Sequence, residues 1–330
     1  MEELLIWNDK VKLILADVDE TIADVYTDAT SEMIAYLNKL LSKGVVLFLV
    51  SGGGLQSIKH RVIDKIDSKI RKHILVAHCS GAEVWGFGSN GIINDEPFYG
   101  IYDEKMSDDQ KISWREVIKS IIKKYKLVLY DAMSRDKFVK ESNGNPLSIM
   151  YVDRGPQITL EFTNSVDLTI DQKNSLEKDL KISIPLHQGT YDLRIPIMNE
   201  LLRIYKAKKL PITPKLGGIF ALDNPIRGVD KTFAIDYVLK NKQILNEMNL
   251  PDDIVNQPEF IEIWGDKFNQ KKGGPDFLMC KAVPNTVRSI DFRQEEPDGI
   301  PIDYNIQSWN GEKHLHEGLL EYLQASFGRL

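Results

Sequence analysis

The sequence predicts an α/β protein in which a doubly wound parallel sheet is interrupted by an inserted α+β domain. Three observations carry that prediction. Near both ends of the chain, short apolar runs without alternation stop at polar residues, the pattern of strands buried on both faces. Stretches of helical periodicity separate these runs, as in strand–helix–strand units. In the middle of the chain the strands instead alternate polar with apolar residues, as in an antiparallel sheet covered on one face.

Residues 11–16 (VKLILA) read as the first buried strand, followed by a helix over 31–42. That helix carries Met33, Ile34, Leu37, Leu40 and Leu41 at helical spacing, and Gly44 stands where it stops. "VVLFLV" at 45–50 is the second strand; "SGGG" follows it, then a helical stretch from Leu55 to about Ile66. "HILVA" at 73–77 is the third. The texture changes after about Phe98. A charged helix with Ile112, Val117, Ile118, Ile121 and Ile122 on its inner side leads to alternating strands at 147–153 and 157–163. A helix around 171–180 and a strand at 190–197 (TYDLRIPI) follow, with loops at 211–218 and 224–228. The α/β texture then returns. Residues 230–241 read as a helix with Phe233, Ala234, Tyr237 and Val238 inward, "FIEIW" at 260–264 as a buried strand, and "NGEKHLHEGLLEYLQ" as a closing amphipathic helix. The expected boundaries are 1–98 with 226–330 for the core and 99–225 for the insertion, a domain of ordinary size.

A chain of 330 residues suits about two domains. Its net charge of -6 argues against a dedicated nucleic-acid binder, which needs clustered Lys and Arg. Cys79 and Cys280 form neither a disulfide framework nor a metal-binding pair by spacing, and read as reduced thiols. The N-terminus "MEELLIWNDK" carries acids where a signal peptide needs positive charge, and "VVLFLV" falls far short of the ~20 residues that span a bilayer. A soluble cytoplasmic protein is expected, without membrane contact.

In doubly wound sheets, ligands bind beyond the carboxyl ends of the strands. Three strands here end in groups with chemical potential: Asp17 and Asp19, then Ser51 with its glycines, then Asp266. Clustered carboxylates raise each other's pKa unless a cation neutralises them, and hard oxygen ligands with few competitors suit Mg²⁺. Beside such a metal an Asp stays ionised and can attack an electrophile. Read alone, the same acids also make a plain acidic turn or helix cap. "SGGG" opens a helix whose free N–H groups suit an anion, and also reads as a flexible strand-to-helix turn, a common feature. Lys231 opposes the dipole at the start of its helix, which points to a local anionic partner, though a surface lysine reads the same way. The segment "GDKFNQKKGGPDFLM" joins Asp266 to Asp276, whose acids complete a metal site or merely flank a surface loop.

Taken in order, these residues resemble the four signature motifs of the haloacid dehalogenase superfamily of phosphotransferases. "DVDET" resembles its D-x-D-x-T motif, Ser51 its second-motif Ser or Thr, Lys231 its lysine and Asp266 the leading acid of its fourth motif. The resemblance implies a Rossmann-like core and makes the insertion a cap domain, placed as in Cof-type sugar phosphatases and phosphomannomutases. The fourth motif departs from both patterns. Either Gln270 replaces the second acid after Asn269, or Asp276 supplies it within "GGPD", where Pro275 replaces Asn; the D-x-x-M spacing to Met279 favours Asp276.

What the resemblance implies is a hydrolase for phosphate monoesters. Asp17 would be the nucleophile that forms an aspartyl-phosphate, Asp19 the acid and base, and Ser51 and Lys231 the stabilisers of the phosphoryl group. Thr21, Gly52, Gly53 and Asn269 complete the phosphate side, and Mg²⁺ is implied on Asp17, the main-chain carbonyl of Asp19, Asp266 and Asp276. The implied substrate is a small phosphorylated metabolite such as a sugar phosphate, handled by a monomer or homodimer. Two alternatives stay open: a phosphosugar mutase, and a binding protein on a phosphatase fold. Arg154 and Arg194, in expected cap strands, are candidates for a second anionic group. His314 and His316 sit two apart on a helix and face different ways, so they read as a solvated face rather than a metal pair. Glu20 receives no role.

Overall fold

The computed structural model describes residues 4–25, 27–217, 220–269, 274–294 and 299–328. It divides into two compact units, Met1–Gly100 with Val229–Leu330, and Ile101–Gly228.

The first unit is built on eight strands: β1 (Leu13–Ala16), β2 (Val46–Val50), β3 (Ile74–His78), β4 (Glu83–Trp85), β5 (Tyr99–Gly100), β6 (Ile261–Gly265), β7 (Arg288–Asp291) and β8 (Ile306–Ser308). They lie in the order β8-β7-β6-β1-β2-β3-β4-β5. The six from β8 to β3 run parallel, and β4 and β5 close the edge antiparallel. The chain winds outward from β1 to β3 on one side and from β6 to β8 on the other. Strand order therefore reverses between β1 and β6, the place where such sheets open a crevice. All residues of β1, β2, β3 and β6 are buried, which is why these runs carry no alternation. Helix α1 (Ser31–Ser42) starts on Thr30, whose hydroxyl accepts the Met33 N–H, and buries the five apolar residues expected of it. Helices α2 (Leu55–Arg61), α3 (Lys231–Lys240) and α4 (Leu315–Phe327) follow β2, precede β6 and close the chain.

The second unit carries a five-stranded sheet in the order Lys215–Gly217, Ala221–Pro225, Gln157–Glu161, Ser148–Asp153, Val128–Tyr130, antiparallel except for the last pair. Ile158, Leu160 and Leu222 are fully buried, as are Trp114 and Tyr205 on helices Asp108–Lys124 and Arg194–Ala207. The intervening residues Gln157, Thr159 and Glu161 are polar, so residue type alternates as expected, but they are buried too, and this strand is covered on both faces rather than on one.

Several expectations are corrected. Residues 190–197 are not one strand: Thr190–Tyr191 pairs with Leu186–His187, and a helix begins at Arg194. Pro196 sits in the first turn of that helix, where no N–H is needed, and Ile197, Leu201 and Tyr205 line one buried face. The "IPI" run imitates alternation while serving a helix. The stretches expected as loops contain strand Lys215–Gly217 and the last two residues of strand Ala221–Pro225, because pairing with Gln157–Glu161 outweighs the poor strand propensity of "ALDNP". Ile112 is 58% exposed, since at 3.6 residues per turn it points away from the buried Trp114, Val117, Ile118 and Ile121. Phe233 is also exposed, and Ile235 and Leu239 share the inner face of α3 with Ala234 and Val238. Tyr237 is half-buried, stacked 4.5 Å from Tyr99.

Candidate active site

The carboxyl ends of β1, β2 and β6 each deliver one expected residue. Asp17 is the first residue after β1, and its N–H donates to the Trp264 carbonyl of β6 at 3.0 Å. Ser51 follows β2, its N–H bonded to the Ala77 carbonyl at 2.9 Å, and its buried hydroxyl accepts the Gly53 N–H at 3.0 Å. Asp266 follows Gly265. Lys231 is the first residue of α3, a helix capped by Asp230, which accepts the Phe233 N–H. Gly81 sets this helix start. A Cβ there would lie 2.6 Å from the Asp230 carbonyl, and the backbone is at φ +99°, so only glycine lets the turn after β3 pack against α3.

Lys231 Nζ is buried and donates to Asp17 Oδ1 at 2.6 Å and Asp276 Oδ1 at 2.7 Å. Asp276, fully buried, accepts through Oδ2 from the N–H groups of Asp266 (3.0 Å) and Lys267 (2.9 Å). Gly265 allows this approach, since a Cβ there would stand 2.7 Å from Asp276 Oδ2. Ligand oxygens of Asp17, Asp266 and Asp276 all fall within 4.8 Å of one another. Of the two registers for the fourth motif, the Asp276 one places an acid in this cluster; Gln270 lies outside the described residues.

Burial pushes the Asp17 carboxyl up to about 7 against the pull of Lys231, with Asp276 and Asp19 adding to the rise. Burial, then the Asp276 charge, pushes Asp266 up to about 8. Asp276 is the exception: burial opposes its ionisation, yet the Lys231 charge and hydrogen bond hold it below the usual carboxylate range. Lys231 is held above the ordinary lysine range because its two acids outweigh its burial. The three acids share too little positive charge to ionise together. A hard divalent cation, which takes carboxylate oxygens, fits that donor set.

The other expected residues stand around this cluster. Asp19 is not in it: Arg61 Nη1 donates to its Oδ1 at 2.7 Å, and the same guanidinium holds the carbonyls of Thr27 and Asp24. Thr21, fully buried, donates to Asp266 Oδ1 at 3.4 Å. Gly53 lies beside both Ser51 Oγ and Asp19 Oδ2, while Gly52 faces Ser80 Oγ. Asn269 is buried against Gly299, and its carbonyl accepts the Gly274 N–H. Arg194 is not available as an anion contact: its guanidinium is buried on Asp192 and donates to the Ala221 carbonyl. Arg154 lies in the turn between strands Ser148–Asp153 and Gln157–Glu161 rather than in a strand. His314 caps α4 and His316 lies in its first turn. Arg61, Lys267 and Glu20 were missed, because no local pattern marks partners that meet only on folding.

No family model and no curated protein matches the sequence. The fold does have likenesses. A haloacid dehalogenase-like hydrolase from Bacteroides thetaiotaomicron aligns with a TM-score of 0.57 at 16% identity, over 94% of this chain and 99% of that one. The C-terminal domain of trehalose-6-phosphate phosphatase from C. albicans aligns with a TM-score of 0.52 at 14% identity, over 96% and 92%. The chain thus has the haloacid dehalogenase-like fold, an α/β architecture with a Rossmann-like core, as its motifs implied. Among the described residues, no helix is long and apolar enough to cross a membrane.

Proposed function

We propose that the protein is a Mg²⁺-dependent phosphatase that hydrolyses a small phosphorylated metabolite, a sugar phosphate, through an aspartyl-phosphate on Asp17. The observation that carries this reading is the buried cluster of Asp17, Asp266 and Asp276 joined by Lys231. The likeness in fold to a trehalose-6-phosphate phosphatase domain agrees with it. In this reading residues 1–98 and 226–330 are the catalytic core, and 99–225 form the cap.

An oxygen of Asp17 forms the new bond to phosphorus as the bond to the leaving oxygen breaks. Asp19 gives its proton to that leaving oxygen, then takes one from the water that releases inorganic phosphate and restores Asp17. Arg61 orients the Asp19 carboxylate for both steps. Lys231 holds Asp17 in place and, with Ser51 and the N–H groups of Gly52 and Gly53, offsets charge on the phosphoryl oxygens. Thr21 and the Asp276 carboxylate position Asp266. Mg²⁺ held by Asp17, Asp266, Asp276 and the Asp19 carbonyl would supply the charge neutralisation that lets these acids stay ionised beside a phosphate.

Purified protein should release p-nitrophenol from p-nitrophenyl phosphate with Mg²⁺, lose the activity to a chelator, and lose it by about 10³-fold or more in Asp17→Asn. Turnover that survives in Asp17→Asn would remove it as nucleophile. A phosphosugar mutase is the second reading, favoured by the position of Asp276 at the end of "GGPD". Conversion of a hexose 1-phosphate to the 6-phosphate with a bisphosphate activator would select it over hydrolysis.

A further inference from the structure

Lys267 is the charged group of the site that the chemistry above leaves unused. Its main chain belongs to the fixed frame, through the N–H that donates to Asp276. Its side chain turns the other way: Nζ donates to Asp266 Oδ2 at 2.5 Å and to Glu20 Oε2 at 2.5 Å. The three side chains differ in freedom. Asp266 is 3% exposed, whereas Lys267 is 44% and Glu20 31% exposed.

Glu20 stands at φ +65°, in the left-handed region that favours glycine, with its N–H bonded to the Ala23 carbonyl at 2.8 Å. A glutamate held in that conformation with its carboxylate on an ammonium is the kind of outlier that marks a functional constraint. The charges say what the constraint serves. Asp17 and Asp276 share Lys231, but Asp266 has no bond to it and takes its positive charge from Lys267.

We propose that Lys267 is the counter-ion with which a divalent cation competes for Asp266, and that Glu20 is the acceptor that keeps its ammonium when the cation binds. The proposal rests on the reading that Asp17, Asp266 and Asp276 hold Mg²⁺. An ammonium and a divalent cation on one carboxylate repel each other, so loading requires Nζ to leave Asp266. Because Nζ already bonds Glu20, it gives up one of two charged partners rather than both. The pair thus sets cation affinity by competition. Lys267 and Glu20 act through Asp266, as positioning residues.

The test is a calorimetric titration of the metal-free full chain with Mg²⁺ at pH 9, where the Asp266 carboxyl is ionised. Lys267→Met removes the competitor and should bind Mg²⁺ about tenfold tighter than wild type. Glu20→Gln leaves the ammonium with Asp266 as its one charged acceptor and should bind about threefold weaker. Without metal, Lys267→Met should melt below wild type, and with saturating Mg²⁺ the two should melt together. Lys267→Gln carries the same expectations if the Met variant does not fold. Affinity in Lys267→Met equal to or below that of wild type overturns the counter-ion role, and unchanged affinity in Glu20→Gln overturns the part given to Glu20. A wild-type chain that binds no Mg²⁺ instead defeats the metal reading itself, a distinct result.

Discussion

Two buried carboxylates sit at opposite ends of strand β6, and the chain treats them in opposite ways. Glu262, near the start, is fully buried and accepts hydrogen bonds from Trp264 Nε1 at 2.7 Å, Tyr322 Oη at 2.8 Å and Arg288 Nε at 2.8 Å, with a further short contact to Arg288 Nη2. Burial pushes its pKa up, and Arg288, Trp264 and Tyr322 work against that rise. Asp266, just past the other end, shares its surroundings with two more acids. The first site is closed: every partner is a donor, and one guanidinium matches one carboxylate. The second gathers acids faster than it gathers donors. A buried charge that is fully hydrogen-bonded is read as structure, and one that is crowded by its like is read as a place for a ligand.

The largest effect should come from breaking the closed site. Glu262→Ala removes the carboxylate that Arg288 pairs with and leaves the Trp264 Nε1 and Tyr322 Oη donors without their acceptor, and should cost about 3–5 kcal/mol in a denaturant melt. A loss below about 1 kcal/mol would show that Glu262 is less tightly held than its bonds suggest.

The crowded site should respond with the opposite sign. Asp17→Asn removes one of the repelling charges, and the metal-free variant should be more stable than wild type by about 1 kcal/mol at pH 8, at the cost of activity. The pH dependence follows from the same charges. Asp17 and Asp266 have folded pKa values near 7 and 8, above their ordinary 3.8, so between those limits the folded state binds more protons than the unfolded one. Stability of the metal-free protein should therefore be highest at the acid end of this window and fall as pH rises through it. Each group contributes a slope of up to about 1.4 kcal/mol per pH unit. Melts at several pH values should show a shallower fall in Asp17→Asn than in wild type, and parallel curves would remove Asp17 from the account.

The smallest effect concerns the partner of Asp19. Arg61→Met frees the Asp19 carboxylate and two loop carbonyls. It should lower turnover of p-nitrophenyl phosphate about tenfold, with a stability loss of about 1 kcal/mol.

The contrast between the two ends of β6 also marks what the sequence could disclose. Asp17, Ser51 and Asp266 were legible because apolar runs locate strand ends, and strand ends locate the crevice. Asp276 was legible through its D-x-x-M spacing, and the structure sets it among the acids. Arg61, which lies 42 residues from Asp19, and Lys267, which lies 247 from Glu20, left no periodic trace. The Glu262–Arg288 pair was equally silent, since β7 and β8 are short strands without a distinct pattern. In the inserted unit, helix Arg194–Ala207 was hidden by "IPI", where two β-branched isoleucines at period two read as a strand and the proline between them, harmless in a first helical turn, reads as a helix breaker.

The central claim is a bond between Asp17 and phosphorus, and it can be observed. Protein turning over p-nitrophenyl phosphate with Mg²⁺ would be quenched, reduced with borohydride and digested, which converts an aspartyl-phosphate to homoserine. Mass spectrometry should find homoserine at position 17 alone and none in Asp17→Asn. Homoserine at Asp19 or another residue, or steady turnover with position 17 unlabelled, would contradict the account.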